Sequence, residues 1–499
     1  MIRKRLLKSY YESRLLNQFN IDSYNKFISD KMQEVIDETN SVLPDILPPG
    51  VRDFEIRFGK VWVEKPYIME SDGTRKEINP IEARLRDVTY QAPILLEMYY
   101  VKNGTESEKQ SIHIGDIPVM VKSDICNLHG LSKEELVDKK EDPEDPGGYF
   151  IINGTERVVV IIEDLAPNRF YVERKTSGRY EEVCKVFSED ARLRIPHSVQ
   201  KDKSGLITVN FTRMKRIPFT LLMKALGITE DKQIVKLVQP TERMMSELYI
   251  NFYETSTINN QKDALIKLGK KLSGGKRDDI KIEKATRMID RYLFPHIGGG
   301  EDYRLKKAAY LAKMVKKLLK LSYGLIEEDD KDHYSNKRLR LCGDMMESLF
   351  RYSFRILASD MKYNFERLVK RGKLPGLQAI TRKKLLTSRI KSSLATGEWV
   401  GGRHGVSQHL KRNNFVDTIS HLKRVVSSLS AARENFEARD LHPTQWGKLC
   451  ASETPEGQNV GLRKTLAITC EISTDVGEEE NDKIMKIIKD LGVKGVGFK

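Results

Sequence analysis

No C-x-x-C pair occurs in this chain. Its five cysteines (Cys126, Cys184, Cys342, Cys450 and Cys470) are odd in number and far apart, so neither a disulfide framework nor a zinc site follows from their spacing. Long apolar runs are missing as well. None approaches the roughly 20 residues that a spanning helix needs, so a membrane protein is not expected. The opening stretch, MIRKRLLKSYYESRLLNQF, lacks the apolar centre and small-residue cleavage site of a signal peptide and is expected to form the first helix of a cytoplasmic protein. There is no phosphate-cradling G-x-x-x-x-G-K-[ST], no G-x-S-x-G and no Ser/His/Asp spacing of a nucleophilic catalyst. Acidic residues are scarce in one place: between Lys362 and Lys391 ten Lys and Arg stand against Glu366 alone.

What is present bounds the class. A length of 499 residues exceeds what one core serves, so several lobes are expected, some discontinuous in sequence. The 86 Lys and Arg against 71 Asp and Glu give a formal charge of +15, which favours a polyanionic partner. With 39% hydrophobic and 31% charged residues, the chain can bury real cores under a charged surface. The fold class is read as α+β. Periodicity predicts a helix over Ser23 to Thr39, capped by Asp22 or Ser23, with Phe27, Ile28, Met32, Val35 and Ile36 inward. Alternation at Phe54, Ile56 and Phe58, then at Val61 and Val63, predicts strands, and Asn153-Gly154 between two apolar runs predicts a hairpin. Short strands and helices follow to about Lys337. Among them a basic helix carries Leu305, Ala308, Ala312, Val315 and Leu319 inward and seven Lys and Arg outward, a face that is more often solvated than functional. A long helix is predicted from Asp344 to Arg371, with Gly372 as its stop. The acidic GEEEND is expected to be an exposed turn before a final helix.

The densest chemistry lies between Thr396 and Leu462. Gly397, Gly401, Gly402, Gly405, Gly447, Gly457 and Gly461 punctuate it, so it is expected to be loops held on a scaffold, where binding residues usually sit. Arg403, Lys411, Arg412, Lys423, Arg424, Arg433 and Arg439, the amides of Gln408, Asn413 and Asn414, and Trp399 and Trp446 together make a candidate phosphate-tracking surface. The histidines at 404, 409, 421 and 442 match no zinc signature, and donation to backbone or nucleic acid is the better reading. Glu327, Glu328, Asp329, Asp330 and Asp332 beside His333 resemble a cation site but more often make a solvated loop. Glu453 and Glu456 stand on a Pro- and Gly-stiffened turn. They suit acid/base work less well than ion pairs that hold the loops.

The run RDLHPTQWGKLCASETPEGQNVGL, Arg439 to Leu462, is similar to the signature of the second-largest, β-type subunit of multisubunit DNA-dependent RNA polymerases. VSQHLKRNNFVDTISHLKR resembles the segment before it in that family. SLATGEW, GGYFIINGTERV and DKDHYSNKRLRL look like landmarks of its archaeal and eukaryotic branch. The resemblance implies a protrusion (1–165), an inserted lobe (166–337), the protrusion's return (338–378), a fork (379–458) and the start of a region that another chain completes (459–499). It places Arg403, Gln408, Arg424, Arg433 and Arg439 near nucleic acid, and Glu453 and Glu456 in a structural turn near the active centre. Family members continue several hundred residues further. The break near Lys499 resembles the amino-terminal piece of the subunit that some archaea encode as two polypeptides. On this likeness the chain holds no metal and has no catalytic residue of its own. It forms one wall of the DNA cleft and contributes to promoter and nucleotide binding and to RNA synthesis in the assembled enzyme, whose Mg²⁺ ions belong to the largest subunit. The implied partners are the carboxy-terminal half, the largest and other subunits, the DNA template and the nascent RNA. The alternative is a free-standing nucleic-acid-binding protein.

Overall fold

The computed structural model describes residues 3–5, 9, 16–48, 50–175, 178–190, 193–272, 277–372, 375–432, 435–468, 470–472 and 478–492. The expected first helix therefore lies mostly outside the described residues. The chain forms two compact units, one of Met1–Glu163 with Leu339–Lys499 and the other of Asp164–Arg338.

In the first unit, Gln18–Lys26, a π-helical turn at Phe27–Lys31 and Met32–Thr39 form one rod. Phe27, Met32, Val35 and Ile36 are buried along it and Ile28 only partly so. The expected caps are not used: the rod begins after Asn17, and Asp22 and Ser23 fall inside its first two turns. Ser23 is engaged elsewhere, because its Oγ accepts the Gly343 amide at 3.0 Å where the 28-residue helix Cys342–Val369 begins. That helix carries Met345, Leu349 and Phe350 into the core, and Gly372 follows in left-handed conformation at φ 74°. Rings at Tyr24, Phe27, Phe150, Phe350 and Phe354 interlock in edge and stacked contacts, so one core joins the first helix, the hairpin and the late helix.

The strand Phe54–Val63 pairs antiparallel with Gln91–Lys102, which pairs in turn with Gln110–Pro118. Its alternation buries Phe54, Ile56 and Phe58. Val61 and Val63 are only half-buried, after the register shifts between Phe58 and Val61. The hairpin of Phe150–Ile152 and Thr155–Val159 turns on Asn153 and Gly154, both with positive φ (49° and 74°), as a tight two-residue turn of that hand requires.

The second unit is an antiparallel sheet running in chain order from Tyr171–Arg174 to Met214–Pro218, followed by six α-helices among its described residues. The basic helix spans Arg304–Ser322 and differs from its sequence reading at two positions. Leu305 is 63% exposed, whereas Lys307 is fully buried. The Lys307 ammonium donates to the carbonyls of Ile289 (3.1 Å) and Asp290 (2.8 Å) in the last turn of helix Asp278–Tyr292, where carbonyls run short of backbone donors. Burial lowers its pKa to about 8. The acidic run from Glu327 is likewise structural. Asp329 accepts the Val172 amide and the Lys317 ammonium (2.7 and 2.6 Å), Glu328 accepts the Arg174 amide (3.1 Å), and Asp332 pairs with Lys337 (3.0 Å). Asp329 and Glu328 thereby tie the run to the sheet and to the helix before it, and Asp332 ties it to the strand Lys337–Arg340 that follows.

Candidate nucleic-acid interface

The segment from Thr396 to Leu462 is more woven into sheet than its glycine content suggests. Ser407–His409 pairs antiparallel with the hairpin strand Thr155–Val159. Arg424–Ser427 lies parallel to Ile161–Leu165 and antiparallel to Arg463–Thr465. Three loops project from these strands: the glycine hairpin 397–405, the stretch 410–414 that leads into helix Phe415–Leu422, and the long excursion 428–462.

In the glycine hairpin, Trp399 and Arg403 form an isolated bridge around Gly401 and Gly402. Trp399 does not belong to the contact surface. It is 5% exposed, and its indole N–H donates to Met345 O at 2.9 Å, so the ring anchors the hairpin to the long helix. Trp446, by contrast, is 84% exposed.

Arg412 also leaves the candidate surface. Its guanidinium donates to both Glu156 oxygens (2.7 and 3.0 Å) and to Asp145 (2.8 Å) and lies 4.9 Å over the Tyr149 ring. Arg84 enters the same cluster, donating to Glu156 (2.9 Å), Glu141 (3.2 Å) and the Tyr149 hydroxyl (2.6 Å). Burial alone presses the Arg412 pKa down, but Glu156, Tyr149 and Asp145 more than offset it, so the group stays charged. Two arginines, three carboxylates and a tyrosine thus pin the 410–414 loop to the hairpin. Nothing in their spacing announces this, because the partners stand more than 250 residues apart.

His421 is buried, with Nδ1 accepting the Lys411 amide (3.2 Å) and Nε2 facing Gln408 Oε1 (3.2 Å). That pairing defines a neutral ring donating through Nε2. Burial, then the charges of Arg424 and Lys411, lower its pKa to about 4. His197, buried in the second unit, is lowered to about 4 chiefly by burial. An unfolded histidine titrates near 6.5, so the unfolded chain takes up protons first as the pH falls. The stability these rings contribute is therefore complete above about pH 6.5 and is lost between there and about pH 4. Thermal unfolding from pH 7 to pH 4 should show a decline that is shallower in His421→Gln; an equal slope in that variant would remove His421 as a cause. His442 caps Pro443–Gln445 by accepting the Thr444 amide, while His404 and His409 are exposed.

The excursion 428–462 is closed by Arg439. Its guanidinium donates to the carbonyls of Gln458 (2.7 Å), Val460 (2.8 Å) and Ala431 (2.9 Å) and so draws together both limbs of the loop. Thr454 Oγ accepts the Gly461 amide and donates to Arg463 O. Glu453 accepts the Ser420 hydroxyl, and neither it nor Glu456 has an ion pair among the described residues. The ion-pair role expected for the two glutamates is thus replaced, for Glu453, by a neutral donor. Lys423 is buried and donates to Ile468 O, and Lys464 pairs with Glu163 (3.2 Å) inside the sheet. Arg403 in the glycine hairpin, Gln408 at the centre of Ser407–His409 and Arg424 at the start of its strand are half-buried, and Arg433 lies outside the described residues. Among the described residues no group of three or more His, Cys, Asp and Glu side chains is placed to hold a metal ion. Among the described residues no helix is long and apolar enough to cross a membrane.

Comparison with known proteins gives the same direction as the motifs. The RNA polymerase beta subunit family matches residues 15–392, and domain 3 of RNA polymerase Rpb2 matches 408–472. DNA-directed RNA polymerase subunit Rpo2 of Saccharolobus shibatae is 44% identical over 98% of this chain, and the chain spans 43% of that protein's length. Subunit Rpo2N of Methanocaldococcus jannaschii is 42% identical over 99% of both chains. Rpo2N of Halobacterium salinarum is 40% identical over 99% of this chain and 96% of its own. With its sheets, its loops and a match covering most of its length, this chain belongs to the RNA polymerase beta subunit family.

Proposed function

We propose that the chain is the amino-terminal half, B double-prime, of the second-largest subunit of an archaeal DNA-directed RNA polymerase in the cytoplasm. The observation that carries this reading is the end-to-end match with Rpo2N, set against 43% coverage of the undivided Rpo2. In the assembled enzyme it lines the DNA cleft. The protrusion, lobe and fork are assigned to it on the family resemblance, with Arg403, Gln408, Arg424, Arg433 and Arg439 toward the DNA template, nascent RNA and incoming nucleotide. Its partners are the carboxy-terminal half, the largest subunit and the smaller subunits.

Paired Mg²⁺ ions supply the nucleotidyl-transfer chemistry in such an enzyme. On the family resemblance those ions belong to the largest subunit, and no chemical step is assigned to this chain. What its residues do is hold loop shape: Arg439 and Thr454 close the long excursion, and Arg412 and Trp399 fix the two shorter ones.

Affinity purification of the tagged native chain is expected to recover the largest subunit and a carboxy-terminal partner in equal amounts. Recovery of the chain alone, with nucleic acid bound, would sink this reading in favour of a free-standing nucleic-acid-binding protein.

A further inference from the structure

A recess of about 430 Å³ lies between the middle of helix Cys342–Val369, the second half of helix Lys383–Thr396 and the base of the glycine hairpin. Its apolar wall is Leu349, Tyr352 and Trp399, and its polar wall is Ser353, Arg389 and Ser393.

Two of these polar groups have unusual surroundings. Ser353 is fully buried, and its hydroxyl makes no hydrogen bond among the described residues. Arg389 Nε is buried and likewise has no acceptor. The guanidinium meets the Tyr352 ring at 6.0 Å, a contact that leaves its N–H edge available. A buried donor without an acceptor is unfavourable, and a guanidinium edge beside a hydroxyl matches the two oxygens of a planar or tetrahedral oxyanion. Glu398, at the rim, has a side chain 71% exposed, so water screens its carboxylate.

We propose that this recess is an oxyanion site, in which Arg389 and Ser353 bind the phosphate or carboxylate of a small ligand. Lysine in place of Arg389 would keep the charge but lose the forked N–H geometry. Because the hairpin base closes one side, an occupied site ties residues 398–401 to both helices. The inference rests on the recess alone and not on the polymerase reading.

The test is titration of the purified full chain with inorganic phosphate and, in a parallel series, with acetate, read by calorimetry and by the shift in unfolding temperature. Saturable uptake of at least one anion is expected. The arm that saturates at the lower concentration identifies the ligand chemistry. Affinity should fall tenfold or more in Arg389→Gln and several-fold in Ser353→Ala, with Arg389→Lys between wild type and Arg389→Gln. Variants whose unfolding temperature without anion matches wild type establish that loss of binding is not loss of fold. Absence of saturable uptake by the wild-type chain, or uptake unchanged in both Arg389→Gln and Ser353→Ala, would overturn the proposal.

Discussion

Arg439→Ala, rebuilt into an otherwise complete polymerase, is expected to cut transcript elongation or open-complex stability by tenfold or more while leaving subunit assembly intact. The reasoning starts from three carbonyls. Hydrogen bonds to a charged donor contribute about 1.5–3 kcal/mol each, and this one side chain makes three, to Ala431, Gln458 and Val460. Without it, the two limbs of the 428–462 excursion lose the tie that sets their spacing. The strand pair beneath, Arg424–Ser427 with Arg463–Thr465, is held by its own backbone and should survive. The expected phenotype is therefore a misplaced loop on an intact scaffold. Arg439→Lys should rescue only part of the loss, because one ammonium cannot span all three acceptors. Normal elongation in Arg439→Ala would remove the residue from the mechanism.

Gly343→Ala is expected to be the more damaging to the fold, destabilising the first unit by roughly 3 kcal/mol or more. A Cβ there would sit 2.0 Å from Ser23 O and 2.6 Å from Ser23 C, inside any allowed contact. The obstacle is backbone on both sides, so no rotamer change relieves it. The helix that begins at Cys342 must then move off the first rod, breaking the Gly343–Ser23 hydrogen bond and loosening the ring contact between Phe27 and Phe350. Chemical denaturation of the variant should show an early transition or poor recovery of soluble chain. A midpoint within experimental scatter of wild type would contradict the packing described.

These two residues mark what the sequence made visible and what it did not. Arg439 stands inside a motif long enough to identify a family, yet nothing in that motif foretells that its guanidinium ties three carbonyls of its own loop. Gly343 carried no signal, since a close approach between helices separated by more than 300 residues leaves no local pattern. Local rules worked where local physics decides. Asn153-Gly154 became a tight turn because both residues tolerate positive φ, and the long helix appeared within two residues of its expected ends. Ser407–His409 and Arg424–Ser427 were hidden because three or four residues are too few for periodicity, and their partners lie far back in the chain. The charged surface was overestimated for a similar reason. A guanidinium that will meet a phosphate and one that will meet Glu156 are written with the same letter, and Arg412 is of the second kind.

The parallel pairing of Ile161–Leu165 with Arg424–Ser427 also sets a timetable for synthesis. Asp164–Arg338 is contiguous and can fold as it leaves the ribosome, but the first unit cannot close until the chain beyond Leu339 has been made. At about 5–20 residues per second, the hairpin strand Thr155–Val159 waits roughly 12 to 50 s for its partner Ser407–His409 to be made. During that interval the edge later taken by Ser407–His409 is open to any extended segment nearby. The nascent chain, more than the finished subunit, is where this architecture is most exposed to aggregation, and ribosome-bound intermediates paused between residues 165 and 340 are where chaperone contact should concentrate.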